Sequence, residues 1–171
     1  MNHAIDVYYF TADNPHGCDS VTMRTEADLT RVLHDITTNP QPHPTVVYVR
    51  DRPTNGRREL PNHQLKFDID PDIQVAAIHT AGTPDFVPHN TRSHDDAETT
   101  QYLRGWVSRA DTTTNDSRTP GKPLYVDVDT RTEFPRNAAI PLERLRTALL
   151  ELMITAQRPT CVDWQDSEIT L

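Results

Sequence analysis

Apolar and polar residues alternate most regularly at Leu65, Phe67 and Ile69, which are separated by Lys66 and Asp68 and preceded by Gln64. A period of two places the sets on opposite faces of a strand, so this stretch is predicted to have one buried and one wet face. Asp70, Pro71 and Asp72 then turn the chain into a second strand running from Ile73 to His79, and the two are expected to form an antiparallel hairpin. Nearer the start, Ile5, Val7 and Tyr9 alternate with Asp6 and Tyr8, and Val46, Val47, Tyr48 and Val49 form a run rich in β-branched residues. Both read as strands. Later strands are predicted around Tyr102, Leu103, Trp106 and Val107, and where Leu124, Val126 and Val128 alternate with Tyr125 and Asp127.

Two stretches change to helical spacing. Leu29, Val32, Leu33 and Ile36 follow Thr25, which with Asp28 three residues on resembles a capping box, and Asn39 and Pro40 end the stripe. The longer stripe is Leu142, Leu145, Leu149, Leu152 and Ala156, widened by Met153. Pro141 suits its first turn, and Gln157, Arg158 and Pro159 stop it, because a proline disfavours the helical conformation in the residue before it. Residues 160–164 then read as a short strand. The order predicts an α+β fold, a mostly antiparallel sheet of about five to seven strands with two helices packed on it, in one domain spanning residues 1–171.

Hydrophobic residues are 35% of the 171. Even with glycine counted this falls below the roughly 45–50% usual for globular domains, so long polar loops are expected, at residues 83–100 and 110–122. The formal net charge of −8 disfavours nucleic-acid backbones and anionic membranes as partners and favours a basic one. Two cysteines, Cys18 and Cys161, build no disulfide framework. The start carries no basic region followed by a long apolar run, and no apolar stretch approaches membrane-spanning length, so the cytoplasm is the expected location.

Chemistry-bearing patterns are weak. Asp68, Asp70 and Asp72 have the spacing of a calcium loop, but the sixth position would be Ile73 instead of Gly and the twelfth His79 instead of Glu. His94, Asp95 and Asp96 suggest a metal-dependent hydrolase, with His16, Cys18 and His89 conceivable beside them, yet no helix is predicted to fix them. Glycine-rich phosphate loops and hydrolase or deaminase motifs are absent. The expectation is a protein that is not an enzyme and uses no metal or other cofactor.

Phe134-Pro135, the proline-started helix from Pro141, Thr155, Arg158-Pro159, and Val162 with Trp164 form a pattern that resembles the first numbered Imm family of bacterial immunity proteins, with a looser likeness around Gly105-Trp106 and Tyr125. That family accompanies polymorphic toxins and includes inhibitors of double-stranded-DNA deaminase toxins. Departures are Leu152 after Glu151, where the family has Phe, and Ala156, where it has a helix-ending Gly. The resemblance implies a non-catalytic protein that neutralises a cognate toxin domain by blocking its active or substrate-binding site. The motif residues read as scaffold. Candidate partner-binding residues are Asp68, Asp70, Asp72, Asp95, Asp96 and Glu98, chosen because they fall in inferred turns and loops with no core duty and could occupy a basic nucleic-acid-binding surface. The rival readings are the hydrolase built on His94 and Asp95, and an interaction domain unrelated to toxins.

Overall fold

The computed structural model describes residues 2–92, 104–111 and 121–167. The first strand, β1 (Ile5–Tyr8), buries Ile5 and Val7 and leaves Asp6 and Tyr8 half-exposed. It is followed by β2 (Ser20–Met23), which the sequence does not announce because Met23 is its one buried residue. α1 (Glu26–Thr38) begins on the predicted capping box: Asp28 N donates to Thr25 Oγ1 at 3.1 Å and Thr25 N to the Asp28 carboxylate at 3.0 Å. After β3 (Thr45–Val49) comes a small separate hairpin of β4 (Thr54–Asn55) and β5 (Leu60–Pro61). The predicted long hairpin is β6 (His63–Asp70) with β7 (Val75–Gly82), in register from His63 opposite Gly82 to Asp70 opposite Val75. β8 (Arg104–Arg109) carries Trp106 and Val107, while Tyr102 and Leu103 lie outside the described residues. β9 (Tyr125–Asp127) and β10 (Thr132–Glu133) pair with each other, with Val128 in the turn between them instead of the strand. β11 (Ile140–Pro141), α2 (Leu142–Thr155) and β12 (Asp163–Asp166) complete the chain.

The main sheet is antiparallel, in the order β12-β8-β7-β6-β3-β1-β2, and β11 takes the part of the β7 edge that β8 leaves free, making eight strands, one above the expected range. Both helices pack on one face. Leu29, Val32, Leu33 and Ile36 of α1 and Leu145, Ala148, Leu149, Leu152 and Met153 of α2 meet Ile5, Val7, Val47, Leu65, Phe67 and Ile78 from the strands. A smaller cluster covers part of the other face, where Val75, Ala77 and Val107 meet Leu124, Val126, Phe134 and Ala138. β7, sandwiched between the two, is buried along its whole length. Where β7 and β8 diverge, the buried Ser108 hydroxyl accepts from Ile78 N at 3.0 Å and donates to Ala138 O at 2.7 Å, so no backbone group is orphaned. No helix among the described residues is long and apolar enough to cross a membrane.

The C-terminal segment departs from expectation in two ways. Pro141 precedes α2 and pairs with Val75 instead of occupying the first turn. The last strand starts at Asp163 because the Glu151 carboxylate takes the N–H groups of Thr160 at 2.7 Å and Cys161 at 3.0 Å, which a strand there would need. α2 ends on Ala156 at φ 53° and ψ 23°, with its N–H bonded to Leu152 O at 2.8 Å. The left-handed region strains any Cβ. Ala156→Gly is therefore expected to raise stability by about 0.5–1 kcal/mol, read as a higher urea midpoint with unchanged slope; a lowered midpoint would show that the buried methyl outweighs the strain.

Candidate partner-binding surface

Among the described residues, the sheet face turned away from the helices is covered over β7 and β8 by the smaller cluster and at the Asp68–Asp70 end of β6 by residues 121–125. Across β2, β1, β3 and β6 it presents the half-exposed side chains of Thr22, Asp6, Tyr8, Val46, Tyr48, Gln64, Lys66 and Asp68. Tyr8 and Tyr48 meet edge to face with ring centroids 6.1 Å apart, and Gln64 Nε2 donates to the Tyr48 hydroxyl at 2.7 Å. Asp6 is fixed by the Thr22 hydroxyl at 2.7 Å and Arg50 Nε at 3.0 Å. The tyrosines alternate with buried residues in their strands, a period of two that the sequence also carries at Val7-Tyr8-Tyr9 and Val47-Tyr48-Val49.

Two of the six candidate carboxylates are not the free loop groups that were expected. Asp68 belongs to β6, and its carboxylate accepts from Ile69 N and Tyr125 N, both at 2.9 Å. Desolvation pushes its pKa up, outweighing those two bonds. Asp70 ends β6 and is buried, accepting from Asp72 N and Lys122 N, both at 3.1 Å. Gly121 lets the chain pass close by, since a Cβ there would lie 2.6 Å from Asp70 Oδ2 and 2.4 Å from Ile73 Cδ1. Both aspartates thus tie residues 121–125 to the β6–β7 hairpin. Asp72 is exposed on the hairpin turn. Asp95, Asp96 and Glu98, together with His94, lie outside the described residues.

Among the described residues no group of three or more His, Cys, Asp or Glu side chains is placed to hold a metal. His63 is buried, and its Nε2 accepts from Val49 N at 2.7 Å, which leaves Nδ1 to carry the proton toward Asn62 Oδ1 at 3.1 Å. Burial, and then the nearby Arg52 cation, push its pKa down to about 4 against a weaker pull from Asp85. His79 is equally buried, with Nε2 3.2 Å from Ser167 Oγ, and burial followed by Lys66 pushes it down to about 4 as well. Burial and the Glu151 carboxylate push the Cys161 thiol up to about 12, which removes the thiolate a nucleophile needs. Cys18 is exposed.

The motif residues build scaffold. Phe134 fills the smaller cluster, Pro135 leads into a short 3-10 turn at Arg136–Ala138, and Val162 reaches the main core. Arg158 is buried with its guanidinium 4.5 Å from the Trp106 ring centre and 5.8 Å from that of Trp164, whose Nε1 donates to Pro159 O at 2.7 Å. Cations over indole faces are attracted by the ring quadrupole, so Arg158-Pro159 and Val162-x-Trp164 are two halves of one packing device. The family model of immunity protein Imm1 matches residues 17–166, from just before β2 to the last residue of β12. No curated protein matches the chain.

Proposed function

The chain belongs to the immunity protein Imm1 family, and from that premise we propose that it neutralises a cognate toxin domain by binding it and blocking its active or substrate-binding site, with no chemistry of its own. The carrying observation is the match across β2 to β12, which includes the motif residues, both helices and every strand of the main sheet except β1. The site geometry agrees with a binder. The Nε2 lone pair of the buried His63 is taken by Val49 N, and the Cys161 thiol stays protonated. The uncovered sheet face offers Tyr8 and Tyr48, rigid amphipathic side chains of the kind that carry much of the energy at protein interfaces.

The toxin class proposed is one that acts on nucleic acid, a deaminase or nuclease, and the meeting place is the cytoplasm. Such a toxin needs a basic surface for phosphates, and a chain of net charge −8 is drawn to it. Asp72, Asp95, Asp96 and Glu98 are the carboxylates proposed to contact that surface. Asp68 and Asp70 contribute indirectly, by fixing the hairpin that carries Asp72. The test is co-expression with the toxin domain encoded beside it. Co-purification and rescue of growth are expected, with an association rate that falls as salt is raised; absence of both complex and rescue refutes the reading.

A further inference from the structure

Residues 53–61, the arm built by β4 and β5, are exposed at every position. Gly56 at φ +73° and Glu59 at φ +49° close its tip, with Glu59 N donating to Gly56 O at 3.2 Å. Arg57 and Arg58 stand exposed at that tip and make no ion pair or side-chain hydrogen bond with any described residue. Leu60, beside them, is 59% exposed and puts an apolar surface next to the two cations.

The base of the arm is held firmly. The Arg52 side chain, 8% exposed, donates to Ala156 O at 3.0 Å, Asn62 Oδ1 at 3.3 Å and Asp85 Oδ2 at 2.6 Å, and its guanidinium lies 5.1 Å from the Phe86 ring centre. On the returning strand, Asn62 O accepts from Thr83 N at 3.2 Å and His63 is bound to Val49 N. A two-stranded arm thus extends from a firmly held base, with two exposed guanidinium groups that pair with no described residue and an exposed leucine at its end, on a chain of net charge −8.

We propose that this arm enters a concave, carboxylate-bearing cleft of the toxin domain, where Arg57 and Arg58 take the carboxylates and Leu60 sits against an apolar wall. The proposal rests on the toxin-binding reading above. A guanidinium fork matches a carboxylate in shape and charge, and centres that move protons commonly hold carboxylates that such a fork would occupy. A polyanionic partner would repel the rest of the chain and leave Leu60 without a contact. The rigid base limits the ordering cost on binding.

The experiment titrates the full chain and its variants against the purified toxin domain, reading both the Kd and the inhibition of toxin activity. Arg57→Glu with Arg58→Glu is expected to raise the Kd by a hundredfold or more, and Leu60→Ser by about tenfold. Arg57→Lys with Arg58→Lys should lose less than the charge reversal. Thermal unfolding midpoints should match the wild type, since these side chains are exposed and outside both core clusters. If the wild type binds and inhibits while the charge-reversed and Leu60→Ser proteins stay within twofold of it, the arm is not the contact and the toxin-binding reading stands. If the wild type forms no complex, both are overturned. A gel shift of single-stranded or duplex oligonucleotide by the wild type, abolished by the charge reversal, would overturn the carboxylate cleft in favour of a phosphate backbone.

Discussion

Lowering the pH from 7.5 to 4.5 is expected to remove several kcal/mol of folding stability, and His63 and His79 are the cause. Each is almost fully buried and held near pKa 4, against an ordinary value of 6.5 that returns on unfolding. Between those limits the unfolded chain binds a proton that the folded chain refuses, so stability rises with pH across the window. Above pH 6.5 the contribution is intact; it drains away as the pH falls toward 4 and then levels off. Fully expressed, each histidine is worth roughly 3 kcal/mol, a large share of the 5–15 kcal/mol of a typical domain. Protonating His63 also breaks a specific bond, because Nε2 can no longer accept from Val49 N at the end of β3. Urea unfolding at stepped pH and constant ionic strength measures the drop. His63→Gln and His79→Gln should each remove about half of it, and a flat profile from 7.5 to 4.5 would overturn the assignment.

Asp70→Ala is expected to cost about 2–4 kcal/mol, whereas Asp72→Ala two residues away should stay within about 0.5 kcal/mol. The first change strands the N–H groups of Asp72 and Lys122 beside a buried position; the second removes a solvated charge. Urea midpoints compare the two directly. Toxin binding should respond in the opposite sense: Asp72→Ala slows association, while folded Asp70→Ala protein, kept at low temperature, retains it. Equal midpoints for the two variants would mean that residues 121–125 hold without the aspartate.

The alternation at residues 64–69, the capping box and the two helical stripes were legible because each is a local pattern with one physical solution. β2 was hidden because a solvated edge strand needs no apolar alternation, only a neighbour to pair with. The later start of β12 has a tertiary cause: Glu151 on α2 captures the N–H groups of Thr160 and Cys161 that would have begun the strand. The sequence makes Asp68 and Asp70 look free for a related reason. A run of alternating aspartates looks the same whether its oxygens face water or the backbone of a segment some 50 residues further on. The family motif was readable, but the joint role of Arg158 and the two tryptophans emerges only when β8 and β12 lie side by side.

The β6–β7 hairpin closes through a turn of four residues, Pro71 to Gln74, whereas the main core draws its other wall from α2, far along the chain. Contacts of low sequence separation form fastest, so the hairpin is placed to nucleate the sheet early. Sealing waits for α2: among the described residues, Ile5, Val47, Leu65 and Phe67 have only α1 as a helical cover until residues 142–166 have left the ribosome. A chain interrupted before α2 therefore has half of its core wall missing, and any activity that needs the folded sheet begins only once residue 166 has been made.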